Sequence, residues 1–386
     1  MLSWLAPLLV LGLVIFVHEL GHFLAAKWTG VYAPRFSLGW GSPLWSFRRG
    51  ETEYALSWLP IGGYVRMASR EDETASTLEG GNESGGAERS KHWDEESMVP
   101  HGPKPIPADR WFESKPLWAR LVILLAGVTM NVVLALVVTT GVFAAYGEAY
   151  LPAVADSIVA GKPAERAGML RGDSIVAIDD RAVARWDEVL DLVSAAPGRE
   201  LSVRVSRSGE LLTLRIMPEE QEVATPPTGE MQKVGRIGVG VRQEVAREPV
   251  GVGHAVVLGW NTTWGMASSV IDVLGGLFRG QVSVSQLGGP VEIARSSVVA
   301  AQAGFASLWL LVAFLSINLA VLNLLPIPLL DGGQILLQLA ESVWRRPFPP
   351  MVREWYARLG LATIGLLFLT VTFNDLKRLV TGLFGG

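Results

Sequence analysis

Four stretches of the chain run apolar for long enough to cross a bilayer, which takes about 20 residues. Residues 1–17 carry no charge, and 23–26 prolong the run past a short polar patch. Residues 121–146 and 305–330 are uncharged throughout. Residues 359–374 form a shorter uncharged stretch, with Trp355 and Tyr356 ahead of it as an interfacial anchor. A fifth apolar stretch, 250–278, is broken by Gly251, Gly253, Asn261, Asp272 and Gly275, and reads as a helix lying on the membrane rather than a span. The first stretch does not read as a cleaved signal peptide, because it lacks a basic leading region and runs on into His18 and Glu19. Lys27, Arg35, Arg48, Arg49, Lys115 and Arg120 lie between spans one and two, and Arg345, Arg346, Arg353 and Arg358 between spans three and four. Basic residues favour the cytosolic side, so these loops are expected there. The segment 147–304 and both termini then face the other side, with Lys377 and Arg378 arguing against it.

Between the spans the period changes. Residues 36–41 and 54–58 alternate like strands, and Gly62-Gly63 permits a tight turn, which predicts a membrane-associated β-hairpin over 29–66. Residues 67–116 are rich in Glu, Ser, Gly and Pro and read as a flexible cytosolic loop that leaves His92 and His101 in solvent. Residues 150–242 read as a small α+β domain. Pro163 opens a short helix, Arg171-Gly172-Asp173 turns into an apolar strand, and Ser208-Gly209 joins two alternating strands. Its string GKPAERAGMLRGDSIVAIDDRAV resembles a PDZ domain, with room for one copy. PDZ domains bind extended peptides at a sheet edge, and residues 235–241 (GRIGVGV) are expected to supply the binding loop. The expected fold is a polytopic α-helical membrane protein of about four transmembrane helices: 1–28, 117–146, 304–340 and 355–376. It carries the hairpin, the one inserted PDZ-like domain and an interfacial amphipathic segment over 250–303.

Composition narrows the function. Of the 386 residues, 49% are hydrophobic and 18% charged, with a mean hydropathy of +0.33, which argues against a purely soluble enzyme. A net charge of −4 gives no footing for a phosphate backbone, so nucleic acid is excluded as a partner and the lipid bilayer is expected as one. The chain has no cysteine, so disulfides, thiolate zinc and a Cys nucleophile are absent, and any metal must rest on His, Asp, Glu or Asn.

The sharpest feature is His18-Glu19-Leu20-Gly21-His22, inside the first apolar helix. Residues four apart share a helix face, so both imidazoles can bind one zinc ion from the same side, and Glu19 can reach a water beside it. Polar groups at that depth are costly unless they serve a function. Zinc needs a third protein ligand, and the scarce intramembrane acids point to Asp331, at the end of Asn323-Leu324-Leu325-Pro326-Ile327-Pro328-Leu329-Leu330-Asp331-Gly332-Gly333. The two prolines stop regular helix hydrogen bonding, and counting residues puts His18 and Asp331 at similar depth, toward the cytosolic side. The competing reading of Asp331 is a plain helix cap.

At these residues the sequence resembles the site-2 proteases, intramembrane zinc metalloproteases, and within them the bacterial RseP-like branch. The likeness runs from HELGH through FSLGWGSPLW, WLPIGGYVRM, AGVTMN and QLGGPVEIA to NLLPIPLLDGG. It implies that His18, His22 and Asp331 are zinc ligands, that Glu19 is the catalytic acid–base and that Asn323 helps to hold the substrate backbone. It also implies that the hairpin clamps an extended substrate, with Gly39, Gly41, Gly62 and Gly63 as expected contacts. Two positions depart from the family pattern: Val128 stands where Pro is usual, and Gln334 where His is often found. The implied substrate is a transmembrane protein already trimmed on its outer side, an anti-sigma factor or a remnant signal peptide. The implied location is the bacterial inner (cytoplasmic) membrane, with the PDZ domain outside. The competing reading of the whole chain is a membrane-anchored PDZ scaffold that binds exported tails without cutting them.

Overall fold

A computed structural model of the chain describes residues 3–68, 107–225, 230–241, 244–284 and 287–384. Most of the loop expected over 67–116, including His92 and His101, lies outside the described residues. The chain divides into two compact units, residues 1–142 with 256–386, and residues 143–255.

The first unit is built on helices. Among the described residues, four are long and apolar enough to cross a membrane: Ser3–Trp28, Leu117–Tyr146, Phe305–Asn323 and Pro350–Arg378. They comprise α1 (Ala6–Trp28), with one 3-10 turn ahead of it, α2 (Leu117–Tyr146), α7 (Phe305–Asn323) and most of α9 (Pro350–Phe384). Between them lie α5 (Val252–Phe278), α6 (Pro290–Ala303) and α8 (Asp331–Trp344). Val10 and Val14 of α1 pack on Val312 of α7, and Ala135 and Val138 of α2 pack on Ala313 and Ile317 of α7. The buried side of this bundle is small and apolar, whereas Leu8, Leu9, Val133 and Val137 point outward and are exposed. Large apolar residues outside and small ones inside suit a lipid solvent.

The third and fifth apolar stretches take definite helical bounds. The third apolar stretch is not one helix through residue 330: α7 stops at Asn323 and α8 starts at Asp331. Pro326 and Pro328 in between have no N–H to donate, so the helix cannot continue through them. At 1.5 Å per residue α7 still spans roughly 28 Å, close to the hydrocarbon thickness. The glycine-interrupted stretch 250–278 is a continuous helix, α5. Gly259 is used for a close approach to α2, where a side chain would run into Thr140. There Thr139 Oγ1 donates to the Gly259 carbonyl and lies 3.0 Å from Thr263 Oγ1.

Within 29–66 two strands form, longer than the alternating stretches 36–41 and 54–58 and folded over. Strands β1 (Arg35–Arg49) and β2 (Thr52–Arg66) are each bent. Phe36 pairs with both Tyr54 and Val65, and Ser46 with Ala55, so the two strands make four short ones. The start of β1 is central, and residues 63–66 form one edge. Gly39, Gly41 and Gly62 take positive φ angles of 85°, 89° and 97°, which lets the strands bend there. The near half packs Phe36 against Phe23 of α1. The far half leaves Leu44, Trp45, Phe47, Leu56 and Trp58 exposed.

The second unit is α+β. The strands are β3 (Glu148–Tyr150), β4 (Ala155–Ile158), β5 (Ser174–Ile178), β6 (Arg181–Ala182), β7 (Leu201–Arg207) and β8 (Glu210–Ile216). They continue with β9 (Glu219–Thr225), β10 (Glu230–Arg236), β11 (Val239–Val241) and β12 (Ala246–Glu248). The helices are α3 (Pro163–Arg166) and α4 (Trp186–Ser194). A four-stranded sheet in the order β6-β5-β7-β8 buries Ile175, Ile178, Leu201, Val203 and Val205 against Trp186, Val189 and Val193 of α4. The hairpin turn is at Ser208-Gly209, as expected, with both residues at positive φ. Residues 235–240 and α4 line a cavity of about 450 Å³.

Candidate metal centre

The site starts where two helices come unusually close. A side chain at Gly21 of α1 would strike the Ala126 carbonyl of α2, and one at Gly127 would strike the His18 and His22 rings. With neither present, both imidazoles of α1 lie over the bare backbone of α2. They are 6% and 7% exposed, edge to face, with centroids 4.7 Å apart. His22 Nδ1 donates to the Ile123 carbonyl at 2.8 Å.

The third donor arrives from the broken turn after α7. Gly332 and Gly333 let the start of α8 settle on that turn, where side chains would meet the carbonyls of Leu324 and Ile327. Leu329 takes a φ of 75°, a backbone conformation that costs a non-glycine residue about 1 kcal/mol or more. Asp331 is not a cap: the cap position is Leu330, and no side-chain capping bond is made. Its carboxylate instead faces the histidines, with Oδ2 3.3 Å from His18 Nε2 and Oδ1 3.4 Å from His22 Nε2. The two Nε2 atoms are 3.1 Å apart.

These residues fit a metal ion on two grounds. A tetrahedral ion with bonds near 2.1 Å holds neighbouring donor atoms about 3.4 Å apart, close to the three observed separations. Asp331 Oδ2 is also buried without a hydrogen-bond partner, a costly arrangement that a cation would relieve. The donor set is two nitrogens and a carboxylate, which suits zinc and leaves a coordination position open.

Around this cluster the structure places the other predicted residues. Glu19 turns toward the β2 edge, accepts the backbone N–H of Val65, and has Gly63 beside its Cγ. Asn323, the last residue of α7, has Nδ2 3.0 Å from His18 Nε2. Gly63 is therefore at the site, whereas Gly41 has open space around it and serves, with Gly39 and Gly62, to bend the strands. Residues 235–241 border the cavity beside α4 in the second unit. Sequence reasoning did not single out the Ile123 carbonyl, and it met Gly127 and Asn131 only as motif positions in AGVTMN, without a role at the site. A lone Asn within an uncharged span is the signal that would have found the last of these.

Comparison with known proteins agrees with this chemistry. Peptidase family M50 matches residues 6–367. A Rhizobium meliloti protein named as an inferred zinc metalloprotease is 33% identical over 375 residues, covering 96% of this chain and 95% of its own. The zinc metalloprotease RasP of Oceanobacillus iheyensis is 31% identical over 428 residues, 98% of this chain and 100% of its own. The regulator of sigma-W protease RasP of Bacillus subtilis is 30% identical over 428 residues, 97% of this chain and 98% of its own.

Proposed function

The chain belongs to peptidase family M50, the site-2 proteases, and is a zinc metalloprotease; from that premise we propose that it cuts a peptide bond within or beside a transmembrane segment. The observation that carries this reading is the meeting of His18, His22 and Asp331 within 4.8 Å, the histidines on an apolar helix of membrane-spanning length and Asp331 just past the turn that follows another. Those three residues would hold the zinc. When bound, zinc supplies Lewis acidity toward the scissile carbonyl and toward a water molecule.

The chain's own groups do the rest. In a helix the target carbonyl is tied to an amide four residues on, so the substrate must be unwound first. The edge strand 63–66 lies beside Glu19 and offers backbone groups to an extended segment. Glu19 takes a proton from water and passes it to the leaving amine. The Asn323 amide holds the substrate backbone near His18. Burial among apolar helices limits competing water.

The substrate is a membrane protein already trimmed outside the cell, an anti-sigma factor or a remnant signal peptide. A relative named as a regulator of sigma-W protease supports the former. The membrane is the bacterial cytoplasmic membrane, with residues 150–242 outside, as the distribution of Lys and Arg suggests. The domain over 150–242 acts as one PDZ-type filter, with its peptide in the cavity beside α4. A silent scaffold would need neither the paired imidazoles nor Asp331.

The test is cleavage of a membrane-spanning peptide by purified variants. Glu19→Gln should retain zinc and lose at least about 100-fold in rate, the scale of a lost acid–base. Asp331→Asn should lose both zinc and cleavage. Undiminished cleavage by Glu19→Gln would refute the assignment of the base.

A further inference from the structure

Asn131 of α2 is fully buried and has no part in the mechanism above. We propose that Asn131 is a positioning residue: its amide oxygen accepts the Nδ1–H of His18 and fixes the tautomer that presents Nε2 to the metal. The inference rests on the ligand assignment proposed above.

The two histidines can be compared directly. His22 Nδ1 faces the Ile123 carbonyl, which can only accept. Its proton is therefore on Nδ1, and Nε2 keeps the lone pair a metal needs. At His18 the same logic enters from the other end. Its Nε2 is the atom turned toward Asp331 Oδ2 and His22 Nε2, the position assigned to the metal, so as a ligand it must offer a lone pair there as well. The His18 proton is then on Nδ1 and requires an acceptor.

The group facing His18 Nδ1 is the Asn131 amide. Nδ2 lies 3.3 Å away, while Oδ1 is buried and has no partner. The two ends of an amide are alike in shape, and exchanging them sets Oδ1 on the Nδ1–H. That exchange supplies the acceptor the tautomer demands and satisfies the orphaned oxygen together. Asn131 is held firmly for this task. Its main-chain carbonyl accepts the Ser316 hydroxyl at 2.9 Å, tying α2 to α7 at this residue. One helix thus orients both imidazoles, through Ile123 and Asn131, about two turns apart.

Two substitutions separate the oxygen's role from the nitrogen's. Asn131→Asp keeps an acceptor and removes the donor, whereas Asn131→Leu keeps the size and removes both. Zinc affinity is measured by chelator competition on the full chain in detergent, and the cobalt(II) form is examined by visible absorption. Asn131→Leu should bind zinc about 10- to 100-fold more weakly, with an altered cobalt spectrum, as expected for a lost ligand-orienting group. Asn131→Asp should stay within about threefold of wild type with an unaltered spectrum, on the same scale. Wild-type affinity in the Leu variant, or an Asp variant weakened as much as the Leu variant, overturns the proposal. His22→Ala is the control for the ligands themselves. If its affinity were unchanged, the ligand assignment would fall, a result distinct from failure at Asn131.

Discussion

At the scale of single residues, the site depends as much on absent atoms as on donors. Gly127 contributes nothing chemically, yet both imidazole rings occupy the volume its side chain would take. Gly127→Ala should therefore push His18 and His22 off their common centre. Zinc affinity should drop by at least about tenfold, in line with other disturbed ligand orientations, while Gly141→Ala, with open space around it on the same helix, should bind normally. Metal content of the two purified variants checks this, and normal zinc binding by Gly127→Ala would contradict it. HELGH was legible in the sequence because i, i+4 spacing alone brings the histidines to one face. Gly127 and Asn131 were not, because their role exists only where a second helix crosses the first.

At the scale of elements, the hairpin and its anchoring carry the consequence for pH. Glu51, in the β1–β2 turn, accepts from Arg110 at 2.8 Å and from Lys27 at 2.7 Å, joining the turn to the end of α1 and to the segment before α2. The Arg110 guanidinium holds the Glu51 carboxyl down at about 2, with Lys27 assisting. A carboxyl depressed on folding stabilises the native state above its unfolded value near 4.5 and loses that contribution as pH falls toward 2. Wild type should thus lose melting temperature between those limits more steeply than Glu51→Gln, by the equivalent of about 1–2 kcal/mol after solvent screening. Thermal melts in detergent across that range test it, and parallel curves would remove Glu51 from the anchoring role. Alternation in the sequence gave the existence of the strands. It did not give their bends, because positive φ at Gly39, Gly41 and Gly62 is a choice made only when the sheet folds on itself.

At the scale of the whole molecule, the second unit is an insertion whose ends meet. β3 and β12 pair antiparallel, with Tyr150 opposite Ala246, so residues 151–245 leave and return at neighbouring points of one ladder. Replacing 151–245 by a short Gly-Ser turn should leave the helical unit able to bind zinc. If the insertion filters substrates, the shortened protein should cut untrimmed and trimmed membrane substrates at similar rates, whereas the full chain cuts only the trimmed form. Discrimination that survives the excision would refute the filter. The domain itself was readable from its turns and alternating strands, while the cavity between α4 and residues 235–240 was not, since its two walls are about 45 residues apart in sequence.

The sequence by itself determined what depends on composition and short spacing: apolar runs of membrane length, paired imidazoles on one helical face, a proline-broken turn ahead of an acid. Those properties are local, fixed by backbone periodicity and by the cost of polar groups in lipid. Only the tertiary structure decided that Asp331 opens a new helix instead of ending a span, and that Asn131 and Ile123 attend the two rings. Such contacts join residues more than a hundred positions apart, and close packing, which no local pattern encodes, selects among them.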